Sequence, residues 1–198
     1  MAPHGLAPHV VVDELLSEEA AADALSQISR LLPRFHAATV VGGKSPSRLS
    51  RILTDTADLA WVKHISAKAL VVASACSDFR LFSGLEVLQV ECTYTPDGGF
   101  YRPHRDETSV LLGPRQLTFI YYLHVQPRRF EGGDLLIYAG LDDGTMYSSN
   151  TFVRIQPTHN RLVIFPSYRV HEVKEVVAPS DSGLARFCVN GWIGRSVL

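Results

Sequence analysis

From Leu85 onward the chain changes texture. Short runs rich in valine, isoleucine, threonine and aromatic residues are cut by Pro96-Asp97-Gly98-Gly99, Gly113-Pro114, Gly132-Gly133, Asp142-Asp143-Gly144 and Pro166-Ser167. Runs that short between such breakers read as strands, and they fall at residues 86–95, 116–123, 134–139, 152–155, 161–165, 172–177 and 184–193. No helical pattern separates one strand from the next, so crossover units and a parallel sheet are excluded. The pattern predicts a mostly β fold, an antiparallel jelly roll backed by N-terminal helices.

The helices come first in the chain. Ser17 precedes Glu18, Glu19 and an alanine- and leucine-rich run, which predicts an N-capped helix over residues 18–32, stopped by Pro33. Its apolar stripe is Ala22, Leu25, Ile28 and Leu32. A second helix is expected over residues 56–75, with Leu59, Val62, Ile65, Ala69 and Val72 on one face. Both stripes are core faces. The 198 residues, with no repeat or linker, fit one domain (1–198): helical support over about 13–78 and a jelly-roll core over about 85–195.

Net charge is −1 with no block of like charges, so neither nucleic acid nor an anionic membrane is expected as a partner. The longest apolar stretch, residues 69–76, is far too short to span a bilayer, and residues 1–12 lack the pattern of a secretory signal. Cys76, Cys92 and Cys188 are odd in number and widely spaced, as expected of reduced thiols in the cytoplasm. A small molecule or a protein segment is the expected partner.

Chemistry enters at Tyr101-Arg-Pro-His104-Arg-Asp106, followed much later by His171 within Val-His-Glu-Val. Two imidazoles and one carboxylate form a ligand set that holds ferrous iron on one face and leaves other positions open. In extended chain, residues two apart point the same way, so His104 and Asp106 can face one ion. His171 must arrive from elsewhere in the fold. With eight histidines in the chain, a His-x-Asp taken alone also fits a surface loop.

The motifs around it are in a familiar order. Tyr94 to Asp106, Arg115-Gln-Leu-Thr-Phe-Ile-Tyr-Tyr122-Leu, Gly132-Gly133-Asp-Leu, Arg161-Leu-Val-Ile-Phe-Pro, His171-Glu-Val and Arg186-Phe-Cys-Val-Asn-Gly-Trp192 follow one another between Val87 and Ile193. In this the chain resembles the Fe(II)- and 2-oxoglutarate-dependent dioxygenases, specifically their prolyl hydroxylase-like branch, whose core is a double-stranded β-helix (jelly roll). The resemblance implies Fe(II) held by His104, Asp106 and His171, with 2-oxoglutarate and O2 as cosubstrates and ascorbate as a candidate reductant. It implies that Arg186 pairs with the distal carboxylate of 2-oxoglutarate, a role for which a guanidinium fork is suited. Tyr122 would share that carboxylate, and Tyr94, ten residues before His104, would reach the iron-chelating end.

Tyr101, Arg102, Arg115 and Trp192 are expected on the substrate side, and His124 stands where it could line it too. Gly132-Gly133 is read as a turn. The segment from His171 to Arg186 is longer than usual for the branch, with an apparent insertion at residues 178–183, and two other residues there compete for the carboxylate-binding position. Asp181 has the wrong charge, and Lys174 lies only three residues beyond His171, which leaves Arg186. The implied reaction is hydroxylation with release of succinate and CO2, and the carboxylate at Asp106 favours it over halogenation. The expected substrate is a prolyl residue in a protein or peptide; the alternative is a free amino acid or natural-product intermediate, and a remote one is a metal-binding module without turnover. Oligomeric state is not legible.

Overall fold

The computed structural model describes residues 7–38, 47–79, 84–107, 114–140, 147–179 and 185–195. In chain order the elements are β1 (Val10–Val12), α1 (Glu18–Leu31), β2 (His36–Ala37), β3 (Arg48–Leu49), β4 (Arg51–Leu53), α2 (Ala60–Ala75), β5 (Glu86–Thr95), β6 (Phe100–His104) and β7 (Arg115–Leu123). They continue as β8 (Glu131–Gly132), β9 (Leu135–Gly140), β10 (Tyr147–Ile155), β11 (Arg161–Pro166), β12 (His171–Val173), β13 (Val176–Val177) and β14 (Arg186–Gly194).

Ser17 starts α1 as expected: its backbone is extended and its Oγ accepts the Ala20 N–H at 3.3 Å, while Glu18 and Glu19 sit in the positive first turn. The fully buried residues are Ala21, Ala24 and Ile28; Leu25, Ile28 and Leu32 of the expected stripe pack on the core, whereas Ala22 is exposed. Alanine is small enough to sit on either face, which makes it a poor marker of the core side. Pro33 lies inside a single 3-10 turn, Leu32–Arg34, that tightens the helix end. The second helix begins at Ala60, four residues later than expected. Thr56 is drawn into the fold instead, its hydroxyl donating to the Val90 carbonyl at 3.3 Å, and the Leu59 N–H closes a turn on the Thr56 carbonyl.

Among the described residues all strand pairs are antiparallel. A seven-stranded sheet runs β1-β11-β7-β14-β5-β4-β2, a five-stranded sheet runs β10-β9-β12-β6-β3, and β13 pairs with β8. The jelly roll is therefore the architecture found. Both helices cover one face of the larger sheet: Ile28, Val62, Ile65 and Ala69 pack with Leu117, Phe119, Tyr121, Leu123, Phe187 and Val189. The opposite face of that sheet turns inward, where Ile120, Tyr122, Val163, Phe165 and Cys188 meet Leu135 and Ile137 of the smaller sheet. Strand β7 is buried from Gln116 to Leu123 because both its faces are covered, which explains a near-continuous apolar run. Each fully buried Leu, Ile or Phe contributes about 1.5–3 kcal/mol.

Most expected strands lie within two residues of those found; the exceptions show what the pattern hides. The expected strand 172–177 is two pieces, because β12 pairs with β6 and β9 whereas β13 leaves to pair with β8. Strand β10 begins five residues before the expected start. Strands β1 to β4 and β8 are two or three residues long, too short to show alternation, and β6 contains a proline. The Asp142-Asp143-Gly144 turn and most of the 178–183 insertion lie outside the described residues.

Candidate metal centre

Cross-strand pairing assembles the centre. His171 opens β12 directly opposite His104 at the end of β6, so the two imidazoles rise side by side with ring centroids 4.2 Å apart. Asp106 lies just past the strand, where the Asp106 N–H donates to the Ser167 carbonyl at 3.1 Å. The three side chains offer ligand atoms all within 4.8 Å of one another. His104 Nε2 is 3.7 Å from Asp106 Oδ1 and His171 Nε2 is 3.6 Å from Oδ2. Those separations exceed a hydrogen bond and leave room for an ion.

Both rings are pre-oriented. His104 Nδ1 faces the Arg102 carbonyl at 2.8 Å and His171 Nδ1 faces the Arg169 carbonyl at 2.9 Å, which assigns the proton to Nδ1 and frees each Nε2 lone pair for a metal. Thr118 donates to Asp106 Oδ2 at 2.7 Å and is itself 2.9 Å from the buried Ser167 hydroxyl. Burial would raise the Asp106 carboxyl, but His171, His104, the Thr118 hydroxyl and the nearby Trp192 indole outweigh it and hold the group below the usual carboxylate range. Burial, aided by the charge of His171, pushes His104 down to about 3, so its ring is neutral at pH 7 and ready to ligate.

That shift has a consequence for stability. Unfolded histidine titrates near 6.5, so folded metal-free protein binds fewer protons than unfolded chain below that pH. The His104 contribution is fully present above about pH 6.5 and is lost as pH falls toward about 3, and the depressed Asp106 acts in the same direction. Denaturant midpoints of metal-free protein are expected to fall between pH 7 and 4, with a shallower slope in His104→Gln; equal slopes would contradict this.

At the other end of the same cavity lies a buried cation. Arg186 is 2% exposed; its Nε donates to the Gly133 carbonyl at 3.0 Å, Nη1 lies 3.6 Å from Cys188 Sγ, and Nη2 has no partner. Its guanidinium lies 5.0 Å from the Tyr122 ring centre, and the buried Tyr122 hydroxyl is also unpaired. Burial pushes that phenol up to about 12, with partial relief from Arg186, so it is a neutral donor. A guanidinium without a carboxylate partner among the described residues, beside an unpaired phenol, is costly unless an anion completes it. The pair fits the distal carboxylate of 2-oxoglutarate, and the donor set at the near end fits Fe(II).

Gly133 seats Arg186. Its φ is +68°, and an added Cβ would lie 2.8 Å from Arg186 Cδ. Gly133→Ala should therefore cost about 2 kcal/mol, a Tm lowered by roughly 4–8 °C, read by thermal unfolding. An unchanged Tm would contradict the seat.

The cavity is about 280 Å³ and brings together His104, Asp106, His171 and Arg186 with Tyr101, Arg115 and Trp192 of the expected substrate side. Tyr101 stacks on His104 with centroids 3.4 Å apart, and the Arg115 guanidinium lies over Trp192 at 4.2 Å while donating to Gln89 at 2.7 Å. Arg102 is not brought in: it is exposed and lies over Phe100, the bulge between Tyr101 and His104 having broken the alternation. Tyr94 also requires correction. It stacks on Phe187 at 5.0 Å, on the helix-facing side of β5, while Gln89, Glu91, Thr93 and Thr95 of that strand face the cavity. His124 is buried away from the cavity, its nitrogens facing the Val125 and Pro157 carbonyls.

Sequence reasoning missed Arg48, Glu91, Thr93, Thr95 and Thr118, all of which line the cavity. The available signal was the polar alternation along β5, whose polar positions line the cavity.

Over residues 88–194, more than half of the chain, the sequence matches the 2OG-Fe(II) oxygenase superfamily. A stretch of 120 residues is 38% identical to an uncharacterized PKHD-type hydroxylase of Synechocystis, covering 59% of this chain and 40% of that protein, so the chain spans less than half the length of that relative. A prolyl hydroxylase from Trichoplax adhaerens, solved with a hypoxia inducible factor oxygen degradation domain peptide fragment, superposes with a TM-score of 0.70 at 20% identity, over 94% of this chain and 83% of that one. HygX from Streptomyces hygroscopicus, solved with nickel, 2-oxoglutarate and hygromycin B, gives a TM-score of 0.66 at 11% identity, over 97% and 84%. At those identities the structural likeness speaks for the fold. Among the described residues no helix is long and apolar enough to cross a membrane.

Proposed function

The chain belongs to the 2OG-Fe(II) oxygenase superfamily, and from that membership we propose that it hydroxylates an unactivated C–H bond, with His104, Asp106 and His171 as iron ligands and Arg186 and Tyr122 as the seat of 2-oxoglutarate. Fe(II) and 2-oxoglutarate are the cofactor and cosubstrate of the family. When bound, they supply the oxidation, one oxygen atom of O2 passing to the substrate and the other to succinate as CO2 leaves. The observation that carries the reading is one cavity lined by a three-donor cluster and by a buried guanidinium with an unpaired Nη2, the unpaired phenol of Tyr122 lying beside that guanidinium.

This chain's own residues bind and orient. The Nδ1 contacts of His104 and His171 hold both rings in place, and Thr118 fixes the Asp106 carboxylate. Arg186 and Tyr122 draw the far carboxylate inward, and Ile120 and Cys188 line the wall beside it and limit access of water. Tyr122→Phe should leave the 2-oxoglutarate-free protein as stable as wild type, because the hydroxyl it removes is unpaired. It should weaken 2-oxoglutarate binding by about 1–2 kcal/mol, roughly 5- to 30-fold. Calorimetric titration with Tm measurement checks both expectations.

The prolyl hydroxylase-like branch favours a prolyl residue in a protein or peptide as substrate. One structural observation favours the second reading, a free amino acid or other small molecule: the inner wall beyond the triad carries a buried ion pair, Arg48 and Glu91, where a prolyl ring would prefer apolar contact. Three free cysteines fit a reducing cytoplasm, where ascorbate would serve as reductant. The test is incubation with Fe(II), 2-oxoglutarate and O2, prolyl peptides in one arm and free amino acids in the other. A product heavier by one oxygen, matched by succinate, is expected; binding of both cofactors with no oxygenated product in either arm or from cell extract would favour a module without turnover.

A further inference from the structure

Beside the iron ligands, across the Tyr101 ring, the cavity lining carries a polar cluster that the oxygenase chemistry does not use. Arg48 of β3 and Glu91 of β5 form an ion pair at 3.2 Å with side chains only 13% and 7% exposed. Arg48 Nε donates to Ser50 at 2.6 Å and Nη2 to Thr93 at 3.2 Å; Thr93 donates to Glu91 Oε1 at 3.3 Å, and Asn190 Nδ2 donates to Thr93 at 2.7 Å. These bonds occupy one edge of the guanidinium and one carboxylate oxygen. Arg48 Nη1, Glu91 Oε2 and Asn190 Oδ1 take no part in them.

A largely buried ion pair is expensive to maintain, and replacing such a pair with apolar side chains is often neutral or stabilising. Its value here lies in what it can recognise. Arg48 also lies over the Tyr101 ring at 4.9 Å, and Tyr101 stacks on His104 at 3.4 Å, so anything bound to the pair is held one ring away from the metal ligands. A prolyl residue inside a peptide presents an apolar ring and neutral amides, and would dehydrate the pair without replacing its water. A free α-amino acid presents a carboxylate and an ammonium on one carbon, each matching one member of the pair. The cavity, about 280 Å³, is small and must also admit 2-oxoglutarate.

We propose that Arg48 and Glu91, with Asn190, form a subsite for the zwitterionic head of a free amino acid, Arg48 receiving its carboxylate and Glu91 its ammonium. This rests on the oxygenase reading above and fixes the substrate class of that site. Two-point binding fixes the orientation of the amino acid beside Tyr101 and His104.

The experiment compares the twenty free proteinogenic L-amino acids with the same amino acids blocked as N-acetyl methylamides. Each is added to the protein with Fe(II), 2-oxoglutarate and O2, and succinate above the probe-free rate is measured with product mass. At least one free amino acid should stimulate at a concentration about 10-fold or more below its blocked form and gain one oxygen. Glu91→Gln should raise KM for that amino acid about 10-fold or more, with a smaller change in KM for 2-oxoglutarate. Because the free-versus-blocked comparison uses the wild-type protein, it stands even if the variant does not fold. Equal or better stimulation by blocked forms, or none by any free amino acid, overturns the proposal. Succinate formed without discrimination overturns it alone, whereas no succinate under any condition, probe-free included, overturns the oxygenase reading as well.

Discussion

Asp106→Ala is expected to bring iron-dependent succinate formation to background and to weaken Fe(II) binding on the order of 100-fold or more. Loss of a group that only orients a metal ligand commonly costs 10- to 100-fold in metal affinity, and Asp106 supplies a whole ligand. It is also the one anion of the cluster, flanked by two imidazoles whose Nε2 atoms lie 3.6 and 3.7 Å from its oxygens. Removing it takes away the acceptor at Thr118 Oγ1 closest to the site and leaves two imidazoles for a dication. Anaerobic Fe(II) titration and a succinate assay read the two effects separately. Retained turnover would place the metal elsewhere.

The second large effect is at Arg186. Arg186→Met keeps the stem and removes the buried charge, which offsets the lost hydrogen bond to the Gly133 carbonyl, so the protein free of 2-oxoglutarate should be about as stable as wild type. The KM for 2-oxoglutarate should rise roughly 100-fold, equivalent to about 3 kcal/mol for a buried charge-assisted pair. A structural arginine would behave the other way, with stability falling and KM unmoved. The contrast between Tm and KM is what assigns the role.

How much of this was legible follows from face and register. Strand alternation puts Arg186, Cys188, Asn190 and Trp192 on one face of β14, and all four line the cavity. His104 and Asp106 were brought together by the same logic, although Asp106 lies beyond the strand and is held by Ser167 and Thr118, contacts that sequence spacing does not reveal. Tyr94 shows how that logic fails. The resemblance implies Tyr94 at the iron-chelating end, and a shift of one residue in a strand moves a side chain to the other face. Thr93 and Thr95 have the cavity, and Tyr94 packs on Phe187.

Arg48 and Glu91 were missed for a related reason. Polar positions on β5 suggest solvent in an ordinary sheet with one wet face, yet here the apolar face meets the helices and the polar face lines an internal cavity. Arg48 sits on a two-residue strand with no periodic signal. Its partner lies 43 residues away in the chain, and only the facing of the two sheets, β3 in one and β5 in the other, joins them.

The most direct test of the central claim is the conversion of 2-oxoglutarate to succinate by purified protein, with and without Fe(II), in wild type and Asp106→Ala. Succinate formed only with Fe(II), and absent in Asp106→Ala, is the predicted result. Succinate at the same rate in Asp106→Ala, or none from iron-loaded wild type, would contradict it.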